Sequence, residues 1–212
     1  ILSIFILLSF IRADECLIHY SLDEGPNLIS FPILTDNNSI ELFFTSENTN
    51  LLTDDNIYEN ISFIIGEGEF SFTNDSDWSG SLDFINGNQG YWLVAEEPTY
   101  FLYLGEELNE NLYFLHPGAN LISYPLQTEQ NAINSLSFLP DNLVYAIIGQ
   151  NEALLSINNS WWGSLNSFKP GNGYWFIVSD YTPFQYNEII NNNNTSDLLR
   201  EDDNEDLPYN QS

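Results

Sequence analysis

The chain has 212 residues, of which 43% are hydrophobic and 15% aromatic, enough apolar material for packed cores and too much for wholesale disorder. Asp and Glu number 31 against 3 Lys and Arg, a formal net charge of -28. With Arg12, Lys169 and Arg200 as the only strong bases, phosphate contacts lack donors, so nucleic acid is excluded as a partner, and anionic membrane surfaces are repelled.

Ile1 to Ile11 is apolar apart from Ser3 and Ser9 and too short to span a bilayer, which takes about 20 apolar residues. It fits the h-region of a secretory signal peptide covering 1–13, with cleavage after Ala13. No initiator Met and no basic n-region precede it, so the chain is expected to start inside its own signal sequence, and no membrane insertion is expected after its removal. Cys16 is the single cysteine, which rules out an internal disulfide and leaves pairing with another chain open.

A first unit is expected over 17–104. Ile18-His19-Tyr20-Ser21-Leu22 alternates as a strand, and a turn at Asp23-Glu24-Gly25-Pro26 feeds a second apolar strand, Asn27 to Leu34. Asn38-Ser39 caps a short helix over Ile40 to Phe44. Strands follow at Asn60 to Ile65, Glu69 to Thr73, Trp78 to Ile85, Tyr91 to Ala95 and Tyr100 to Tyr103. A second unit over 111–187 repeats the plan, and the polar, acidic stretch 188–212 reads as a disordered tail or linker.

The repetition is explicit. Gly25-Pro26-Asn27-Leu28-Ile29-Ser30-Phe31-Pro32 returns as Gly118-Ala119-Asn120-Leu121-Ile122-Ser123-Tyr124-Pro125. Trp78-Ser79-Gly80-Ser81-Leu82 returns as Trp161-Trp162-Gly163-Ser164-Leu165, and Gly90-Tyr91-Trp92 returns as Gly173-Tyr174-Trp175. Three blocks in one order mark a duplicated unit. The copies lie 93 positions apart at the first block and 83 at the later two, so the polar stretch Asn48 to Glu59 is surplus in the first unit and reads as a surface loop.

The predicted fold is mainly β: two tandem antiparallel β-sandwiches or partly open barrels, each with one short helix. Gly171 and Gly173 flank a turn expected to need positive φ, and Gly80 and Gly163 allow a close backbone approach. Of each Tyr-Trp pair, one ring enters the core and the other covers the sheet. The repeated Trp78, Trp161, Trp92 and Trp175 are all expected in cores.

The combination Asn-Leu-Ile-Ser-aromatic-Pro, Trp-x-Gly-Ser-Leu and Gly-Tyr-Trp, with Lys169-Pro170-Gly171-Asn172-Gly173-Tyr174-Trp175 the closest stretch, resembles tandem modules of secreted or surface proteins of bacteria, often marine. Gly87 stands where that pattern has Pro, and Pro26 and Ala119 stand where it has Trp. The resemblance implies a non-catalytic accessory or adhesion-type module, secreted or at the cell surface, whose partner is an extracellular protein or a glycan surface.

Trp162 is the candidate ligand-binding aromatic, because its counterpart is Ser79 and alternation beside a core Trp turns it outward. Asp75-x-Asp77-x-Ser79-Gly80 imitates the start of a calcium loop, so Asp75 and Asp77 are the candidate metal ligands, although Asn86 holds the twelfth position where a bidentate Glu belongs. Catalysis finds no foothold: His19 and His116 have no nucleophile or zinc motif around them, no P-loop or dinucleotide fingerprint occurs, and no cofactor is expected. The chain reads as no enzyme. The other reading is a carbohydrate-binding module of an exported enzyme.

Overall fold

The computed structural model describes residues 15–35, 38–45, 47–53, 57–74, 77–107, 112–137, 139 and 143–187. The expected signal peptide 1–13, the tail 188–212 and Asp75 lie outside the described residues. The described chain is mainly β, in antiparallel sheets with no closed barrel, and none of its helices is long and apolar enough to cross a membrane.

The N-terminal half holds β1 (Glu15–Leu22), β2 (Gly25–Ser30), β3 (Ile33–Leu34), α1 (Ile40–Phe43), β4 (Leu51–Leu52), α2 (Ile57–Asn60), β5 (Ile61–Ile65), β6 (Phe70–Asn74), β7 (Asp77–Gly80), β8 (Gly90–Ala95) and β9 (Thr99–Glu107). The C-terminal half holds β10 (Leu112–Leu115), β11 (Gly118–Ser123), β12 (Gln130–Asn131), α3 (Ala132–Ser135), β13 (Val144–Gly149), β14 (Glu152–Ile157), β15 (Ser160–Gly163), β16 (Ser167–Phe168), β17 (Gly173–Val178) and β18 (Thr182–Gln185). A five-stranded sheet β2-β8-β5-β6-β7 in the first half has its match, strand for strand, in β11-β17-β13-β14-β15 of the second. The pairing of β1 with β9 likewise matches that of β10 with β18.

The repeated residues have structural duties. Asn27 is buried and clips the β1–β2 turn: its Oδ1 accepts from Asp23 N–H (2.9 Å) and its Nδ2 donates to Asp23 O (2.8 Å). Asn120 does the same at His116, at 2.8 Å for both bonds. The Tyr20 and Tyr113 hydroxyls donate to the carbonyls of Ser30 and Ser123. Gly80 and Gly163 are obligatory for lack of space: a Cβ would lie 2.2 Å from Phe70 O and 2.0 Å from Ala153 O, the neighbouring strand's carbonyls.

Two buried clusters form the core, one per half. Tyr20 stacks on Phe101 with ring centroids 4.6 Å apart, and Phe31 meets Phe43 edge-on at 4.8 Å. In the second half Tyr186 is ringed by Tyr113, Tyr124, Phe168 and Phe184. Each such ring contributes about 1.5 to 3 kcal/mol by burial.

Several expectations are corrected. The stretch Asn48 to Glu59 is no plain surface loop: Asn48, Leu51 and Ile57 are buried, β4 adds to β9, and α2 gives the first half a second short helix. Its apolar residues at 51, 52 and 57 draw the insertion onto the core. Trp92 and Trp175 lie outside the core clusters, on the opposite sheet face from the fully buried Tyr91 and Tyr174, while Trp78 and Trp161 do pack against the core. The strand expected to reach Ile85 ends at Gly80. Positive φ occurs at Gly171 (77°); Gly173 is needed instead because a Cβ there would lie 2.6 Å from Ile29 O.

The halves meet through contacts that match in pairs. Ser30 N–H donates to Gly171 O at 2.8 Å, and Ser123 N–H donates to Asn88 O at 3.1 Å. Ile29 bridges to Asn172 as Ile122 bridges to Gln89. Leu28 N–H donates to Gln150 Oε1 and Leu121 N–H donates to Glu67 Oε2, both at 2.8 Å. The edge strands β2 and β11 therefore spend these N–H groups on the opposite half, which blunts two sheet edges otherwise open to pairing with another chain.

Candidate functional site

Alternation along β15 puts Trp161 against the second core and leaves Trp162 64% exposed on the outer face. Register places Trp162 beside Leu155 of β14, and Leu155 beside Ala146 of β13, so the ring extends an apolar row across the sheet. The first half carries Ser79, Phe72 and Phe63 along the corresponding row.

Asp77 is exposed, and Asp77 to Gly80 run as an extended strand paired with β6. No group of three or more His, Cys, Asp or Glu among the described residues is placed to hold a metal. His19 lies beside Tyr100, with Nδ1 3.0 Å from the hydroxyl, and His116 lies 2.5 Å from Glu67 Oε1 of the other half. The hydrogen bonds of His116 to the Pro117 carbonyl and to Glu67 hold its pKa above the ordinary imidazole value. Cys16 is half-buried; burial first, and then the hydrogen bond its thiol donates to Glu107, raise its pKa.

A second feature escaped the motifs. Between β7 and β8, Leu82 and Ile85 are committed to the core, which leaves Asp83 and Phe84 outside. The segment is pinned by Ile40 N–H to Asp83 O (2.9 Å) and by Ile85 N–H to Asn38 O (2.8 Å). Phe84 is 60% exposed and borders two cavities of about 530 and 550 Å3 that are broadly open to solvent, sharing both with Asp83. Each falls within the range of about 300 to 1,000 Å3 of small-ligand sites.

The first cavity is also lined by Glu69, Asn86 and Gln89. Burial, and then the neighbouring Asp83 carboxylate, push the Glu69 pKa above its ordinary value. Among the described residues neither carboxylate accepts a hydrogen bond. Asn86 Oδ1 accepts from Asn88 N–H (2.9 Å) and Gln89 Oε1 accepts from the Tyr91 hydroxyl (3.1 Å), and among the described residues neither amide's NH2 group donates a hydrogen bond.

The second half lacks this arrangement. Asn166 and Ser167 stand for Asp83 and Phe84, and Lys169 stands for Asn86. Burial raises the pKa of Glu152, the counterpart of Glu69, while Lys169 opposes the rise. The signal available beforehand was the departure from repetition at Phe84, a large apolar residue opposite Ser167.

No known protein family matches the chain, and neither a curated protein nor a solved structure matches it.

Proposed function

We propose that the chain is a non-enzymatic, structural or adhesion-type element of a secreted or cell-surface protein, made of two tandem antiparallel β-sandwich modules over 17–104 and 111–187. The matching strand orders and the two separate cores support the duplication. The observation that carries the functional reading is the outer face of the five-stranded sheets. Phe63, Ile65 and Phe70 in one half, and Ile148, Leu155 and Trp162 in the other, are exposed there on a frame that the matched join holds together. The partner is an extracellular protein surface. Beads coated with the chain test this: they should adhere to cells or extracellular matrix, less so with Trp162→Ala, and wild-type beads that stay free in suspension would refute it.

A second reading, a carbohydrate-binding module of an exported enzyme, is favoured by the exposed rings of Trp162 and Phe84, since flat sugar faces stack on aromatic rings. Retention of the chain on immobilised glycans tests it.

A further inference from the structure

We propose that the cavity beside Phe84 is a binding site for a neutral saccharide, held by stacking on the Phe84 ring and by hydrogen bonds to Asp83, Glu69, Asn86 and Gln89. The site rests on the carbohydrate-binding reading and gives it a place and a ligand class.

The chemistry around the cavity is complementary to hydroxyl groups. The carboxylates of Asp83 and Glu69 only accept hydrogen bonds when ionised, and the amide NH2 groups of Asn86 and Gln89 only donate. A sugar hydroxyl does both, so neighbouring hydroxyls on one ring can satisfy an acceptor and a donor at once. An amine or a bare cation would serve the carboxylates and leave the two amides unanswered. A purely apolar ligand would bury all four polar groups without partners, at the desolvation cost of each.

Phe84 supplies the remaining component. Phe84 is 60% exposed and lines the cavity, so the C–H face of a pyranose can lie against its ring. Nothing in the fold requires an aromatic residue there, because the counterpart position holds Ser167 on the same scaffold. Charge then narrows the class. The chain carries a net charge of -28, and Lys169, the cation placed among the carboxylates of the second half, has no equivalent at Asn86. Acidic sugars such as uronates and sulfated saccharides are repelled, and neutral ones are not.

The test is retention of the full chain on an array of immobilised neutral and acidic oligosaccharides, followed by titration with the best neutral one. Wild type is expected to bind neutral members and ignore acidic ones. Phe84→Ala should weaken binding about tenfold or more with unchanged thermal unfolding, while Trp162→Ala should leave it unchanged. Loss with Trp162→Ala but not with Phe84→Ala would keep the carbohydrate reading and overturn this site. Preference for acidic members would overturn the ligand class. No retention of wild type on any member would overturn both the site and the carbohydrate reading.

Discussion

Gly90 and Gly173 face each other across the join between the halves: a Cβ on either would lie 3.1 Å from the other's α-carbon. These are the glycines of the two Gly-Tyr-Trp blocks, so a repeated sequence element also marks the place where its two copies touch.

That geometry predicts unequal costs. At Gly173 a Cβ would lie 2.6 Å from the Ile29 carbonyl oxygen, which is backbone and cannot move without β2. At Gly90 the nearest atom is the tip of the buried Leu121 side chain at 2.8 Å, and the nearest backbone atoms are farther off, at 3.1 Å. Gly173→Ala should cost about 2 to 3 kcal/mol and Gly90→Ala about half that, by analogy with overpacked cores. Urea unfolding measures both, and equal midpoints would show that the contact is looser than described.

The Glu67–His116 contact predicts a pH-dependent join. The folded-state pKa of His116 is raised above the ordinary 6.5. Its stabilising contribution is therefore fully present below that unfolded value and is lost as pH rises through the folded value. The melting temperature of wild type relative to His116→Gln should be highest below pH 6.5 and should converge at higher pH. Because the pair is exposed, the difference should be small, on the order of one or two degrees. A difference constant across pH would exclude the imidazolium.

Asn27 and Asn120 should behave as equivalents. Each is buried, and each closes a turn with two bonds to the same residue's backbone. Replacement by Ala leaves those turn groups without partners, at about 1 to 3 kcal/mol per site. Differential scanning calorimetry on the two single variants should give similar losses.

Trp161 and Trp162 are neighbours in sequence and should differ sharply. Trp161→Ala removes a ring packed on the second core and should cost about 2 to 3 kcal/mol. Trp162→Ala removes an exposed ring and should change stability by no more than about 0.5 kcal/mol. Chemical denaturation of both decides whether the outer ring is free to serve binding.

Much of the local structure was legible beforehand because it rests on short-range chemistry. The β1–β2 turn and the outward turn of Trp162 follow from turn residues and alternation; the short helix at Ile40 forms where expected, but Ser39 holds it through its backbone carbonyl and makes no side-chain cap. The close approach at Gly80 and Gly163 could also be anticipated, because a Gly that recurs inside both Trp-x-Gly-Ser-Leu blocks, within a strand, points to a near neighbour. The docking of the insertion from Asn48 to Glu59 is not legible in the sequence, because its polar residues outnumber the few apolar ones that dock it. Repetition alone does not distinguish the two sheet faces, and Trp92 and Trp175 cover the face opposite their cores.

The amino-acid order by itself determined that this protein says one structural sentence twice, in strands, with an acidic surface and few bases. Those properties depend on composition and on spacings of a few residues. Only the tertiary structure decided that the copies meet glycine to glycine, that Glu67 reaches His116 across the join, and that Phe84 stands over a cavity lined by Glu69, Asp83, Asn86 and Gln89. Contacts between residues far apart in the chain depend on how two sheets pack, and short-range sequence pattern does not specify which residues meet there.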